Sequence, residues 1–512
     1  MSLKMLLLSL GLLFSFQKNY AKEVNVKKFG AKGDGKTDDT KAIQAAIDVL
    51  PPGSLNTVYF PKGVYILRSY TGTSNYLENY FIRLHSDIAI RGDGNSSVIK
   101  LANHIFDRTD SNANAHLFYG AGISNIKFSA LQIDLNGRNN LVPESVIKNN
   151  CAIFIKHGNN ITIRNSTIKN ASGRNMIIIM GKGKNSLIEK NIFMNGGNYV
   201  GFSTLNKYQT DFSFVYCEWD STKVINNQII QQNLKFALNG ISGGIELHGS
   251  YSCAAGNKIE GCNPGLYITS GRHEMFNTIV EKNKFINCAR GISFWLNYPM
   301  KNIIIRNNSI QLTHFRNWKS YTSNGIEVPN GNTEIFDQKH ANAAAIDSLM
   351  ISSNTITAPV TQTTTDRTAG IILHSLKNST ISNNTITGMS FGGVILQGSK
   401  WGSSAVSITD NKFIDFKNNY DSVSPAAYVV VFDSYVLTDK EAPGIKNVSV
   451  SGNYFIRTKT PGVSNSLLSK KTGRFTGLFI VLPEPLQKEV HIGFNTFSNM
   501  KEKPEFVITH QK

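Results

Sequence analysis

The feature that most constrains this chain is a short sequence unit that recurs from about residue 120 towards the C-terminus. Each unit has alternating apolar and polar residues, an asparagine at a polar turn, and then a glycine with a second alternating stretch. NITIRNSTIKNA, STISNNTITGMSFGGVILQ and VSITDNKFIDF are instances. The shortest spacings between turn asparagines are 25–27 residues, and longer spacings fit the same unit with an inserted loop. The turn asparagines are Asn165, Asn191, Asn227, Asn257, Asn283, Asn308, Asn354, Asn384, Asn411, Asn453 and Asn495.

Strict alternation of apolar and polar residues is typical of β-strands rather than helices. A repeat of this period indicates stacked coils that bury a shared core only together. The LxxLxL pattern of a leucine-rich horseshoe is absent. The sequence therefore predicts an all-β, single-stranded right-handed parallel β-helix (a solenoid) of roughly eleven to thirteen coils, as one domain over residues 22–512. We expect each turn asparagine to adopt the left-handed conformation and to bond its amide to the next asparagine.

Cys262 and Cys288 support the same register, because they occupy matching places in EGCNPGLYI and INCARGISF, 26 residues apart. They are expected on adjacent coils, either as stacked buried thiols or as a bridge, and burial is the preferred interpretation. The five cysteines contain no CxxC pair, so structural zinc is not predicted.

Residues 1–21 are predicted to be a signal peptide, because Lys4 precedes a 12-residue apolar stretch that is too short to span a membrane. The sequence therefore predicts a secreted or periplasmic protein without a membrane span, and we expect a monomer. The 53 Lys and Arg residues against 35 Asp and Glu give a formal charge of +18, which favours an acidic partner. Export and the scattered basic residues argue for an acidic polysaccharide and against nucleic acid.

The N-terminal segment VNVKKFGAKGDGKTDDTKAIQAAID, followed by TVYFPKGVYIL, resembles the opening of pectate-lyase-like β-helix proteins. That superfamily includes polysaccharide lyases, glycoside hydrolases, mannuronan epimerases and phage tailspikes, so the resemblance implies the fold more than a reaction. Within the segment, Asp38 or Thr37 is expected to cap a helix. Ala42, Ile43, Ala46 and Ile47 give that helix an apolar face, which is expected to cover the open end of the coil stack.

Outward residues of neighbouring coils are the candidates for chemistry. In GGIELHGS, Ile245 and Leu247 are expected to point into the core, which directs Glu246 and His248 outward, ~6.5–7 Å apart. Later repeats continue this face, with Ser293 and Thr269 among its outward residues and His374, then Gln397, in the column of His248. The residues predicted to share the face and to carry the function are Glu246, His248, Tyr267, Arg272, His273, Trp295 and Glu327.

The preferred hypothesis is a polysaccharide lyase that cleaves a uronate-containing chain, such as alginate or pectin, by β-elimination. The reaction needs a group that neutralises the carboxylate, a base for the C5 proton and an acid for the leaving oxygen. Arg272 or Lys235 are candidates for neutralisation, His248, His273 or Lys235 for the base, and Tyr267 for the acid. A Ca²⁺ ion is an alternative neutralising group, although no dense Asp cluster marks a site for it.

Two alternatives remain open at this point. A glycoside hydrolase would pair Glu246 with Glu327, Asp220 or Glu218, but the signature motifs of polygalacturonases are absent from the repeat region. A non-catalytic carbohydrate-binding protein would show aromatic platforms without a titrating cluster. The DPHE tetrad of the mannuronan epimerases has no counterpart here, which makes epimerisation less favoured. Long insertions within the repeats, including LNKYQTDFSFVYCEWDST, are expected to wall the binding cleft.

Overall fold

The computed structural model shows a right-handed parallel β-helix whose coils stack into three parallel faces. Within the described residues, faces 1 and 2 are joined into one 26-stranded sheet, and face 3 is a 15-stranded sheet. From Tyr80 onwards the chain passes from face 1 to face 2 to face 3 in successive coils, whereas the first two coils contribute described strands to faces 2 and 3. The structure describes residues 21–75, 78–105, 115–140, 150–171, 175–196, 213–232, 243–313, 322–329, 346–358, 367–399, 402–416, 427–432, 444–456, 476–481, 488–498 and 507–508.

Three strands are long enough to turn the corner from face 1 into face 2, and the others belong to one face. The corner-turning strands are His116–Ser129, Ile153–Arg164 and Ile177–Glu189. The other strands of face 1 are Tyr80–Arg83, Ser213–Cys217, Gly243–Leu247, Leu266–Thr269, Arg290–Trp295, Thr322–Glu327, Arg367–Leu373, Gly392–Gln397, Ala427–Phe432, Thr476–Val481 and Val507–Ile508. Those of face 2 are Glu23–Asn25, Asn56–Phe60, Ile88–Gly92, Lys223–Ile225, Cys253–Ala255, Met275–Glu281, Met300–Arg306, Ile346–Ser352, Leu376–Ser382, Ser403–Thr409, Ile445–Ser451 and Val490–Ile492. Those of face 3 are Asp34–Asp38, Gly63–Leu67, Ser97–Leu101, Gln132–Asp134, Thr167–Lys169, Ile192–Met194, Gln228–Ile230, Lys258–Glu260, Lys284–Cys288, Ser309–Leu312, Thr355–Thr357, Thr385–Thr387, Lys412–Ile414, Tyr454–Ile456 and Thr496–Ser498.

The number of coils is larger than the repeat predicted. Face 3 has 15 strands in the described residues, whereas the asparagine pattern indicated eleven to thirteen coils. The difference arises at the N-terminal end, where four strands of face 3 join the stack without the turn asparagine, namely Asp34–Asp38, Gly63–Leu67, Ser97–Leu101 and Gln132–Asp134. Because strand pairing and apolar alternation are enough to build a coil, the asparagine marks only part of the solenoid.

The glycine in the repeat is explained by close packing at the start of the face 1 strands. A β-carbon at Gly291 would lie 2.5 Å from the carbonyl oxygen of Gly325 and 2.7 Å from Cγ2 of Ile310. A β-carbon at Gly325 would lie 2.5 Å from the carbonyl oxygen of Gly370. Only glycine lets the backbone of one coil approach the next coil and the core residues of face 3 so closely.

The turn asparagines form a buried hydrogen-bond ladder between faces 2 and 3. Asn283, for example, donates from its backbone N and its Nδ2 to Oδ1 of Asn308, at 3.0 Å each, and the same pair of bonds links Asn308 to Asn354. The predicted amide ladder is therefore present. The described rungs run through Asn191, Asn227, Asn257, Asn283, Asn308, Asn354, Asn384, Asn411, Asn453 and Asn495.

The prediction that the ladder asparagines adopt the left-handed conformation is wrong. The residue before each rung from Asn191 to Asn453 does so, as at Lys190, Asn226 and Asn307. Asn165 belongs to this left-handed column, and Ser166 occupies the ladder position and donates its backbone N to Asn191. The physical reason is that a ladder amide must point along the stack, so the preceding residue makes the bend.

A nine-residue helix, Thr40–Asp48, covers the N-terminal end of the core. Ile43, Ala46 and Ile47 are fully buried in the same cluster as the first coils, as predicted. Asp38 Oδ1 accepts hydrogen bonds from the backbone N and the hydroxyl of Thr40, so Asp38 holds the first turn of the helix. In the described residues, no helix has the length and apolar character needed to cross a membrane.

Cys262 and Cys288 lie on successive coils, as their spacing predicted. Both residues are fully buried free thiols, so they stack as thiols and do not form a disulfide bridge. Burial raises the pKa of Cys262 well above its ordinary value and that of Cys288 to about 12.

Candidate active site on face 1

The outward positions of face 1 form two rows that run along the helix axis. Residues in register on successive coils define row 1, and the positions two residues later define row 2. Row 1 runs through Ile178, Tyr216, Glu246, Tyr267, Ser293, Glu327 and Ile372. Row 2 runs through Met180, Glu218, His248, Thr269, Trp295, Pro329 and His374. Successive members of a row are ~4.8 Å apart.

Glu246 and His248 form a hydrogen-bonded pair at the centre of these rows. Ile245 and Leu247 are fully buried in the core, which fixes Glu246 and His248 on the outer side of the strand. Glu246 Oε1 lies 2.8 Å from His248 Nε2, and Glu246 Oε2 accepts a 2.8 Å hydrogen bond from the Ser213 hydroxyl. Glu246 and His248 are only 7% and 8% exposed. A buried carboxylate that holds one ring nitrogen sets the orientation and the tautomer of the imidazole.

A second carboxylate, Glu218, lies diagonally across from Glu246 and is held by three donors. Tyr216 donates its hydroxyl to Glu218 Oε1 at 2.6 Å, and the backbone N of Gly181 donates to Oε2 at 2.6 Å. Arg272 Nη1 is 3.2 Å from Oε1. Both oxygens of Glu218 are therefore held by protein donors. The side chain of Arg272 is 61% exposed, so it is open to solvent and to a bound ligand.

Tyr216 packs against the imidazole of His248, with the two ring centroids 4.6 Å apart. Burial, together with the Glu218 carboxylate, raises the pKa of Tyr216 well above its ordinary value. Tyr216 therefore stays protonated and acts as a fixed donor to Glu218 and as one wall for His248.

Tyr267 and Ser293 continue row 1 on the next two coils. Tyr267 is in register with Glu246 and is partly exposed, so its phenol lies one coil from the Glu246–His248 pair. Trp295, in row 2, is 40% exposed and is in register with Thr269. An exposed indole on this face can stack against the apolar side of a sugar ring.

Glu327 is not a partner for Glu246, although both belong to row 1. The register runs from Glu246 to Tyr267, Ser293 and Glu327, which separates the two acids by ~14 Å. Paired glycosidase carboxylates are about 5–9.5 Å apart, so the expected Glu246–Glu327 pair is wrong. Glu327 instead faces Arg290, at 4.0 Å between Oε2 and Nη1.

Two other predicted residues are not brought into this cluster, and a third is not among the described residues. His273 is exposed at the corner after face 1, and its Nδ1 lies 2.8 Å from the carbonyl oxygen of the next residue, Glu274. Asp220 is also at a corner, where it accepts a 2.7 Å hydrogen bond from the backbone N of Ser250. Lys235 lies outside the described residues.

Tyr216 was missed as a site residue. The segment that contains it was interpreted as part of an insertion, but Ser213–Cys217 is a regular strand of face 1. The alternation of buried Val215 and Cys217 with outward Tyr216 and Glu218 was the available signal. It was obscured because the residues around it are rich in aromatic and acidic side chains, which are also common in binding loops.

The arrangement provides an oriented imidazole, a phenol one coil away and an exposed guanidinium, all on one face. Together these groups can remove a proton, supply a proton and bind an anionic group. Within the described ranges, no group of three or more His, Cys, Asp or Glu side chains is arranged to hold a metal ion.

Comparison with known families finds one matching family model. Residues 23–267 match the family described as rhamnogalacturonase A/epimerase, pectate lyase-like. The matched range includes the helix at the N-terminal end and the strands that carry Glu218, Glu246 and Tyr267.

Three curated proteins are similar to this chain over shorter segments. Alginate lyase 7 of Azotobacter vinelandii is 39% identical over 119 residues, which is 22% of this chain and 13% of that protein. Plasmin and fibronectin-binding protein A of Streptococcus pneumoniae (strain ATCC BAA-255 / R6) is 30% identical over 182 residues, 33% of this chain and 24% of that protein. Mannuronan C5-epimerase AlgE5 of A. vinelandii is 38% identical over 118 residues, 23% of this chain and 11% of that protein. The matches thus span a quarter or less of each relative.

Among solved structures, a tailspike protein mutant of E. coli bacteriophage HK620, in complex with a pentasaccharide, has a similar fold. The TM-score is 0.54 at 14% sequence identity, and the match covers 93% of this chain and 78% of the tailspike chain. At that identity the similarity concerns the fold alone.

Proposed function

Since this chain belongs to the pectate-lyase-like superfamily of right-handed β-helix proteins, we propose that it cleaves a uronate-containing polysaccharide by β-elimination. Alginate is the first candidate substrate, because an alginate lyase and a mannuronan epimerase are among its relatives. The formal charge of +18 supports a polyanionic substrate through long-range attraction.

The observation that carries this proposal is the hydrogen bond between Glu246 and His248. At neutral pH a carboxylate only accepts, so the proton of the neutral imidazole is on Nε2 and the basic lone pair is on Nδ1. The position that a β-carbon would take at Gly271 is 3.7 Å from this Nδ1. Nδ1 itself is buried, and the residue beside it, Gly271, has no side chain to block the approach of a substrate.

The proposed reaction uses three groups of face 1. Nδ1 of His248 removes the C5 proton, and the C5 electron pair forms the C4–C5 double bond as the C4–O bond breaks. The phenol of Tyr267 gives its proton to the leaving oxygen. Arg272 pairs with the uronate carboxylate, which lowers the cost of the negative charge that develops next to C5. Glu246 stabilises the imidazolium that forms on His248.

Hydrolysis is a second candidate, and the diagonal arrangement of Glu218 and Glu246 favours it. By strand geometry the α-carbons of Glu218 and Glu246 are about 8 Å apart. From that spacing the two carboxyl groups can reach the separation found in paired glycosidase carboxylates. Against hydrolysis, Glu218 already accepts from Tyr216 and Gly181 and contacts Arg272. A carboxylate whose two oxygens already accept hydrogen bonds from the protein is less available to contact a glycosidic oxygen.

The experiment is an absorbance measurement near the ultraviolet band of unsaturated uronates during incubation with polymannuronate, polyguluronate and polygalacturonate, with reducing ends measured in parallel. Elimination raises both signals, and hydrolysis raises only the reducing ends. We expect an absorbance rise on one of these polymers. A rise in reducing ends without absorbance would contradict the proposal and favour the two carboxylates.

Variants of the site test the assignment of roles. His248→Gln is expected to lower kcat by about a hundred- to ten-thousand-fold, the usual contribution of a general base, and Tyr267→Phe to lower it comparably. The matched controls are His491→Gln, at an exposed position of face 2, and Tyr454→Phe, at an exposed position of face 3. Full activity in either site variant would remove that residue from the mechanism.

A further inference from the structure

Two buried polar atoms at neighbouring outward positions of face 1, Oε2 of Glu327 and Nδ1 of His374, have no hydrogen-bond partner among the described residues. Glu327 ends one strand of face 1, and His374 follows the next strand in the stack, two positions beyond the residue in register with Glu327. A buried polar group without a partner is costly, so this acceptor cluster indicates a position at which an external ligand supplies the missing bonds.

The Glu327 carboxylate lies in the groove with a cation on one side only. Its Oε2 is 4.0 Å from Nη1 of Arg290, which is beyond hydrogen-bond distance, and Arg290 is held by a 3.2 Å bond from its Nε to Oδ1 of Asn263. Oε2 of the Glu327 carboxylate therefore retains capacity to accept a hydrogen bond.

His374 is also an acceptor. It is 8% exposed, and burial lowers its pKa to about 4, so the ring is neutral near pH 7. The ring bonds to the backbone of Gly398, and because Nδ1 has no partner, Nε2 is the atom that donates. Nδ1 therefore carries an available lone pair.

This acceptor cluster lies at a distance from the reacting groups but in the same groove. Row 2 runs from His248 through Thr269, Trp295 and Pro329 to His374, which is ~19 Å along the helix axis. The exposed indole of Trp295 lies between the two positions. An extended oligosaccharide bound over His248 therefore reaches His374 by passing over Trp295.

The chemistry of the cluster selects donors and not metal ions. Both unsatisfied atoms are acceptors, which suits the hydroxyl groups of a sugar. A cation would also accept such ligands, but the guanidinium of Arg290 beside Glu327 repels it, and within the described residues no third His, Cys, Asp or Glu completes a metal site. The negative charge of Glu327 also disfavours a uronate carboxylate directly at this position.

We propose that Glu327 and His374 form a remote sugar subsite that binds the hydroxyl groups of a unit several residues from the bond that is cleaved. This inference rests on the proposed function in that it concerns the same groove, but it is a statement about binding and holds for any bound oligosaccharide. Its consequence is that affinity increases once a substrate is long enough to extend past Trp295.

The test is isothermal titration calorimetry with the full chain carrying His248→Gln, so that no turnover occurs. The probes are oligomannuronates from disaccharide to hexasaccharide and, in parallel, neutral xylo-oligosaccharides of the same lengths. Glu327→Gln and His374→Gln are each added to this background. The matched control is Glu281→Gln, which removes a carboxylate paired with an arginine (Arg306, 2.7 Å) on face 2 and outside the groove.

We expect the dissociation constant to fall when the probe becomes long enough to reach the subsite. Each groove variant is expected to lose that gain, roughly five- to tenfold, while shorter probes bind as before and the control variant behaves as the background does. Equal affinity in all variants at every length would overturn the inference. So would an equal loss for the disaccharide and the hexasaccharide, a gain in affinity that EDTA abolishes, or no binding of any probe.

The two proposals fail in distinguishable ways. If neutral probes show the length-dependent loss and no polymer gives an absorbance rise, the subsite stands and the lyase proposal fails. If the absorbance rise is present and length has no effect on affinity, the lyase proposal stands and the subsite is refuted.

Discussion

Replacement of an interior ladder asparagine by alanine is expected to destabilise the solenoid more than any single surface change. Asn308 donates from Nδ2 to the carbonyl oxygen of Val280 and to Oδ1 of Asn354, at 2.9 Å each, and its Oδ1 accepts two 3.0 Å bonds from Asn283. Asn308→Ala removes these four side-chain bonds and leaves buried partners unsatisfied. Each lost bond costs about 1 kcal/mol, so the free energy of unfolding is expected to fall by about 4 kcal/mol.

The matched control is Asn495→Ala at the last described rung. Asn495 also makes four such bonds, two to Asn453 and one each to the carbonyls of Val450 and Gly493, but its position is partly exposed. Water can replace the lost partners there, so we expect no more than about half of the interior cost. Urea denaturation gives the stability, and hydrogen exchange at the amide of Asn283 gives the local effect. Equal costs at the two rungs would refute the reasoning.

Three further predictions concern the groove. Tyr216→Phe is expected to lower kcat/KM about tenfold with the fold intact, because Glu218 loses its hydroxyl donor; unchanged kinetics would contradict this role. Gly271→Ala introduces a β-carbon 3.7 Å from Nδ1 of His248 at a backbone conformation that alanine tolerates, so KM is expected to rise; an unchanged KM would show that substrate does not approach there. The pKa of His374 is about 4 in the folded protein, against an ordinary value of 6.5, so the unfolded chain binds the proton more readily. The contribution of His374 to the free energy of unfolding is therefore fully present above pH 6.5. It falls by up to about 3 kcal/mol as the pH drops towards 4. His374→Gln is expected to flatten this dependence in urea titrations across that range, and an unchanged slope would contradict it.

The fold was predictable because its repeat carries physical constraints that a sequence displays directly. The alternation around Ile245 and Leu247 determines which side chains enter the core, so Glu246 and His248 were assigned to the outer side before their hydrogen bond was seen. Register then follows from the repeat, since each coil pairs in parallel with the next. Tyr267 was assigned beside Glu246 on the same basis.

The parts that were not predictable depend on contacts between coils with weak or absent repeats. The first coils lack the turn asparagine, so the number of coils was underestimated. Arg272 contacts Glu218, 54 positions earlier in the chain, and no periodicity relates the two. Glu246 and Glu327 were paired incorrectly because they lie on the same face. Each coil between two residues of a face adds ~4.8 Å to their separation, so residues of one face can be far apart.

The measurement that tests the central claim most directly is mass spectrometry of the products formed from an oligomannuronate in D₂O. If His248 initiates elimination, the products are shorter chains, one of which lacks the elements of water, and His248→Gln forms none. Shorter chains that have gained the elements of water would establish hydrolysis instead. Chains of unchanged length that carry deuterium at C5 would show that the proton is removed but that no bond is cleaved, and either result would contradict the lyase assignment.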